Sequence, residues 1–366
     1  MTISHSAHLR AVLAGQRLSR QASLELFAQV SAGNLSHIET AALLGALHAR
    51  GEDAREIAGA AAAFRAAAIP LATRQRELID VVGTGGDSAG TVNISTAAAI
   101  LGAAMGLNVA KHGNRAVSSQ AGAADVIAAL GIPLQLSPAA VATLLEETGF
   151  AFLFAQLYHP AMRHVAPVRA ALASPTIFNI LGPLLNPAPL DYQLVGVGNP
   201  KYLEDIAQAL TTAPLSRAVA VHGDGLDEVA LDAPTQIREI VDGKVRSYSI
   251  TPQELGLSPS ARVDLVGGNA AENAELIRNV FAGGGVPAQR DAIAVTTGLM
   301  LYVSGRAGTW AQGTGQALEK LATGTVNAFL DMVCARAQEL YALQQETEPA
   351  ATPASFQSRL TVGAQA

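Results

Sequence analysis

Apolar positions recur in two rhythms along this chain. Up to about residue 70 the spacing is helical. A helix is expected from about Ser19 to Val30, with Leu24, Phe27 and Val30 on one face. Ser36-His37-Ile38-Glu39 spells a capping box ahead of a helix from Thr40 to Arg50, which Gly51 ends. Asp53-Ala54-Arg55-Glu56 repeats the signature before a segment through Ala68, and Ile69-Pro70 stops it. Beyond this point short apolar runs alternate with helical stretches. Leu78 to Val82, a run ending at Ala110, Phe150 to Phe154, Tyr192 to Val197 and Ala218 to His222 read as strands. Between them, helices are expected after Asn93, over Val126 to Leu130, from Ser137-Pro138, and over Lys201 to Thr211; Pro133 to Leu136 reads as extended. Strands alternating with helices imply a mostly parallel sheet flanked by helices, an α/β lobe. Gln236 to Val241 and Val245 to Ile250 around Asp242-Gly243 predict a hairpin. Four helices follow, over Ala270 to Phe281, Gln289 to Ser304, Thr309 to Leu321 and Val326 to Gln344. No internal repeat is present.

Composition narrows the class. At 366 residues the chain exceeds what one core usually serves, so two lobes are expected. Hydrophobic residues make up 49% and charged ones 15%, ample for a globular core. A net charge of −6 with no basic run argues against nucleic acid as a partner. The single cysteine, Cys334, excludes an intrachain disulfide and a thiolate metal cluster. With no charged-then-apolar leader and no apolar run of about 18 residues, a soluble, cytoplasmic protein with no membrane contact is expected.

The chemistry gathers in three polar loops. Gly83-Thr84-Gly85-Gly86-Asp87 follows the first strand, Asn93-Ile94-Ser95-Thr96 opens a helix, and Lys111-His112-Gly113-Asn114-Arg115 follows the second apolar run. Such loops share one edge of an open parallel sheet, where ligands bind. Glycines let backbone N–H groups approach an anion, a helix start offers more of them, and lysine and arginine add charge. Asp87 is the odd member, suited to a sugar hydroxyl or to a metal ion. The three read together as a cradle for a phosphorylated sugar carrying pyrophosphate. Taken singly, each is an ordinary turn, cap or solvated loop.

The motifs GTGGD, NIST, KHGNRAVSSQAGAAD, YHPAMRHVAPVR, TIFNILGPLLNP and HGDGLDEV occur in that order. In this the chain, from about residue 75 to about residue 340, closely resembles the anthranilate phosphoribosyltransferases. The resemblance implies transfer of phosphoribose from 5-phosphoribosyl 1-diphosphate to the amine of anthranilate, a step of tryptophan biosynthesis. The expected domains are a helical lobe over 1–72, joined by helices from about 159–190, and an α/β phosphoribosyl-binding lobe over 73–345; the last residues, rich in Pro, Thr, Gln and Ala, read as a disordered tail over 346–366. For the donor the resemblance implies Gly83, Thr84, Gly85, Gly86, Asp87, Thr91, Asn93, Ile94, Ser95, Thr96, Lys111, His112, Gly113, Asn114, Arg115, Ser118, Ser119 and Ala123. For anthranilate it implies Gly83, His112, Asn114, Tyr158 and Arg169, with Arg169 on the carboxylate and Tyr158, Pro160 and Met162 offering apolar surface. His112 reads equally well as a loop histidine that only hydrogen bonds. Asp227 and Glu228, with Ser95, match magnesium ligands for two ions; by itself Asp-Glu reads as a solvated acidic turn. A homodimer through the helical lobe is also implied. Two family serines are replaced by Ala121 and Ala123, and Pro175 stands where an arginine often precedes TIFN. A weaker or rearranged donor site is expected from these losses. A pyrimidine nucleoside phosphorylase-like enzyme and a non-catalytic nucleotide- or nucleic-acid-binding relative are the alternatives.

Overall fold

A computed structural model describes residues 5–87, 89–116 and 120–347. Ser118, Ser119 and the tail beyond residue 347 lie outside the described residues. Helices α1 (His5–Leu13), α2 (Arg20–Ser31), α3 (His37–Arg50) and α4 (Ala54–Ala66) open the chain. Both capping boxes form: the Ser36 and Asp53 side chains accept from the backbone of Glu39 and Glu56, whose carboxylates return the bond. The buried stripe of α2 is Ser23, Leu26, Phe27 and Val30, so Leu26 takes the place expected of the half-buried Leu24. The stripe is set by α4, where Gly59 lies so close that a Cβ there would meet the Arg20 carbonyl at 2.4 Å.

The second lobe follows as β1 (Leu78–Gly83), α5 (Ile94–Ala104), β2 (Asn108–Gly113), α6 (Ala123–Ala129), α7 (Pro138–Thr148) and β3 (Phe150–Phe154). Then come α8 (Ala155–Tyr158), a 3₁₀ turn over Pro160–His164, α9 (Ala166–Leu172), α10 (Phe178–Leu181), β4 (Tyr192–Gly196), α11 (Leu203–Leu210) and β5 (Arg217–His222). The hairpin β6 (Thr235–Val241) and β7 (Lys244–Ile250) precedes α12 (Ala270–Phe281), α13 (Pro287–Val303), α14 (Trp310–Ala322) and α15 (Val326–Thr347). The sheet order is β3-β2-β1-β4-β5-β6-β7, parallel from β3 through β5 and antiparallel across β6 and β7. Residues 133–136 pair with no strand and form an irregular link between α6 and α7.

Two expectations about the second apolar run change. Lys111 and His112 belong to β2, paired with Phe152 and Leu153 of β3, because the parallel ladder continues past Ala110 to Gly113. Both side chains are therefore interior, at 2% and 4% exposure, not in a loop.

One apolar core fills the sheet and the helices α5, α7 and α13 around it. A second joins the four opening helices to Val168, Phe178 and Leu181, and continues onto Val195, Val197, Ala218 and Ala220 of the sheet region. Phe178 is its pivot, edge-on to Phe64 at 5.0 Å and to Phe27 at 6.3 Å. The segment after β3 thus completes the helical lobe, as a chain crossing back from the sheet must.

Candidate active site

β1 lies between β2 and β4, so the connections leave it in opposite directions at this point of the sheet. Such a reversal opens a crevice beyond the carboxyl ends of the strands. Gly83 and Gly196 end the two strands and pair in register. The loop after β5 folds back over them and sets Asp227 across both. A Cβ at Gly83 would lie 2.0 Å from Asp227 Oδ2, and one at Gly196 would lie 1.7 Å from the Asp227 carbonyl oxygen. Only glycine lets the acidic loop come down on the sheet edge.

The glycine loop then wraps that carboxylate. Gly85 N–H donates to Asp227 Oδ2 at 2.7 Å. Thr84 N–H donates to Gly196 O at 2.9 Å, and the Thr84 hydroxyl accepts from Gly198 N–H at 3.0 Å. Gly85, Gly86 and Gly90 hold positive φ, which glycine adopts without a steric penalty. On the other side Glu228 sits at the start of α5, accepting from Ser95 N–H at 3.2 Å and from the Ser95 hydroxyl at 2.5 Å. The amide groups expected to stand free here are thus engaged: Ile94 N–H meets Val92 O and Thr96 N–H meets Asn93 O. The helix dipole favours a negative group at this end, and Glu228 supplies it. Thr91 bridges to Val266, and Asn93 bonds Asn273 and Ala121, so the turn before α5 is tied from both sides.

Electrostatics define what the crevice wants. Burial and the neighbouring Asp87 push the Asp227 carboxyl well above the usual range, and burial with the charge of Asp227 does the same to Glu228. Burial is the larger cause of both shifts, and the carboxylate neighbours add to it; a divalent cation relieves the part due to like charge. Among the described residues no three histidine, cysteine or acidic side chains are arranged to hold a metal ion by themselves. Carboxylate and hydroxyl oxygens from Asp87, Asp227, Glu228 and Ser95 suit magnesium, which takes few protein ligands and completes its shell with water and phosphate oxygens.

Behind the crevice lies a buried polar chain. Lys111 Nζ donates to Val81 O at 2.7 Å and feels the charges of Asp80, Glu228 and Asp227. Asp80 is fully buried, and burial pushes its carboxyl up to about 6 against the pull of Lys111. It accepts from Asn186 Nδ2 at 2.8 Å and from His112 N–H at 3.2 Å. His112 and His159 meet Nε2 to Nε2 at 3.1 Å; burial lowers them to about 3 and about 4, so both rings are neutral near pH 7. Asp80, Asn186 and His159 escaped the sequence reading as site residues. An acid within an apolar strand was the one signal for Asp80; the other two had none beyond the motifs that contain them.

The acceptor side is mixed. Arg169 is half-buried, 5.8 Å from the Phe178 ring centre and without a carboxylate partner among the described residues, and desolvation lowers its pKa. Tyr158 differs from expectation: it is 0% exposed in the larger core, with its hydroxyl unpaired, so it backs the wall instead of surfacing it. Asn114 accepts from Arg115 N–H and Gln156, while Arg115 pairs with Asp125 at 2.7 Å over the Phe154 ring. The Asp125 carboxylate claims the fork expected to face phosphate.

Residues 6–68 match the helical bundle domain of a glycosyl transferase family, and residues 75–327 match its a/b domain. The chain is 43% identical to the anthranilate phosphoribosyltransferase of Idiomarina loihiensis, over 91% of this chain and 98% of that one. It is 44% identical to the one from Corynebacterium diphtheriae, over 84% and 90%. The chain belongs to the anthranilate phosphoribosyltransferase family. The fold agrees: the crystal structure of the Thermus thermophilus family member superposes with a TM-score of 0.85 at 42% identity, covering 90% of this chain and 99% of that one. The Saccharomyces cerevisiae family member in complex with PRPP and Mg gives 0.84 at 26% identity, covering 93% and 100%. The phosphorylase and nucleic-acid-binding alternatives find no support in these matches.

Against the family pattern, Ala121 is buried and gives its carbonyl to Asn93, and Ala123 begins α6 beside Gly113. No helix among the described residues is long and apolar enough to cross a membrane.

Proposed function

We infer that this chain transfers the phosphoribosyl group of 5-phosphoribosyl 1-diphosphate to the amino group of anthranilate, releasing pyrophosphate. The carrying observation is the acidic pair docked between the glycine loop and the start of α5, through Gly85 N–H on Asp227 and Ser95 on Glu228. Asp87, Asp227, Glu228 and Ser95 would hold magnesium, two ions in our reading. When bound, the metal neutralises charge growing on the departing diphosphate. The donor cradle is Gly83 to Asp87, Thr91, Asn93 to Thr96, Lys111 to Asn114, Ser118, Ser119 and Ala123, with Arg115 drawn aside onto Asp125. Arg169 steadies the carboxylate of anthranilate, with Gly83, His112 and Asn114 beside the ring and Tyr158 packed behind it.

Departure of pyrophosphate leaves positive charge on the ribose ring at C1. The acceptor is an aromatic amine, unprotonated near neutral pH, so no strong base is demanded. The neutral His112–His159 pair fits that requirement. Rate then comes from holding the amine and C1 together. The helical lobe exposes Leu13 and Ile38, apolar side chains that a second copy would cover in a homodimer. A cytoplasmic setting fits a biosynthetic transferase with one free cysteine. The test is anthranilate fluorescence, which decays only when the diphosphate donor and magnesium are both added. Persistence of the emission with both present, in folded protein, overturns the reading.

A further inference from the structure

The crevice is not the only recess among the described residues. On the opposite side, at the amino ends of β1, β4 and β5, the linker from the helical lobe runs back against the segment that enters β4, Leu71 N–H donating to Pro187 O at 3.2 Å. Between them lies a cavity of about 350 Å³, within the range of small-molecule sites. Leu71, Leu184, Leu190 and Leu215 line it together with four prolines. Asn186 and Gln193 add polar groups to these stiff proline and leucine walls, a lining suited to a flat body with a polar edge.

One charged side chain lines the cavity among the described residues, Arg65 from the last turn of α4. Other interior cations do have partners: Lys111 feels three acids, Arg217 pairs with Glu239, and Arg50 pairs with Glu56. Arg65 has no acid and no hydrogen-bond acceptor among the described residues, and the charge acting on it is that of another cation, Arg20, whose Nε is itself buried and unpaired. Burial and that like charge both act against its protonated form. A part-buried guanidinium under the charge of another cation and without an anion is costly, and a carboxylate arriving from outside relieves it.

We propose that this cavity is a second ligand site, separate from the transferase crevice, that takes a small organic acid with its flat apolar body against the leucine and proline walls and its carboxylate on Arg65. The acceptor position at Arg169 belongs to a different element, α9. The polar wall residue Asn186 also bonds Asp80, so a ligand there rests on the chain of groups that ends at His112.

The probe is 4-bromobenzoate, soaked into crystals of the full chain, with the bromine located by anomalous scattering. The expected result is a bromine peak inside the cavity with the carboxylate paired to Arg65, and its loss in Arg65→Gln while any peak beside Arg169 remains. In solution, titration of the same probe into protein saturated with anthranilate should give a dissociation constant that rises roughly tenfold or more in Arg65→Gln, as removal of a charge-assisted pair requires. A peak only beside Arg169, no peak at all, or a cavity peak unchanged in Arg65→Gln overturns the proposal. Anthranilate turnover by Arg65→Gln, measured in the absence of the probe, shows that the variant is folded.

Discussion

Gly83→Ala tests the geometry of the crevice most directly. The backbone at Gly83 is not in the left-handed region, so alanine fits the strand itself without strain. Its Cβ, however, would lie 2.0 Å from Asp227 Oδ2 and 2.7 Å from Cγ, both below any real Cβ contact. The strand is held in its ladder to Gly196, so the carboxylate must give way. Displacing it breaks the 2.7 Å bond from Gly85 N–H, an interaction with a charged group worth about 1.5–3 kcal/mol. If the same oxygen binds magnesium, that loss corresponds to roughly a ten- to hundredfold higher magnesium concentration for half-maximal rate. The assay is the decay of anthranilate fluorescence at saturating substrates across a magnesium titration. Gly85→Ala is the control, since a Cβ there meets nothing within 4 Å and the cost is its positive φ alone; this is about 1–2 kcal/mol of stability. A wild-type magnesium midpoint and maximal rate for Gly83→Ala would refute the placement of Asp227 as a ligand.

Three other outcomes follow from the same structure. Arg169→Ala should raise the Michaelis constant for anthranilate about tenfold or more, the worth of a charge-assisted pair, and leave that for the donor nearly unchanged; equal effects on both substrates remove its assigned role. Asn186→Ala deletes the 2.8 Å bonds to Asp80 and to Ala110 O and leaves the buried Asp80 carboxylate one donor short, so chemical denaturation should report a loss of about 2–4 kcal/mol. Finally, because the folded state raises the pKa of Asp227 and Glu228, it binds more protons than the unfolded chain above the ordinary carboxylate pKa of about 4. Metal-free protein should therefore lose stability as pH rises from there through the raised folded values, while magnesium flattens the curve. A melting temperature indifferent to chelator at the alkaline end of that window contradicts the crowding of charge.

Whatever is written in neighbouring residues was legible from the chain. The capping boxes at Ser36 and Asp53, the proline-led start of α7, the Asp242-Gly243 hairpin and the strand–helix alternation depend on hydrogen bonds that span a few positions, and all appear as read. The glycine and hydroxyl loops were legible for the same reason, and family motifs supplied the distant acidic pair. Tertiary structure alone decided which groups meet. It placed Asp227 over Gly83 and Gly196, turned Lys111 beneath the edge onto Val81 O, set Asp80 between Asn186 and His112, and spent Arg115 on Asp125. Most of these contacts join residues tens of positions apart in the sequence. Their partners are chosen by the strand order at β1 and by the need to pair each buried charge, and neither leaves a local trace in the sequence.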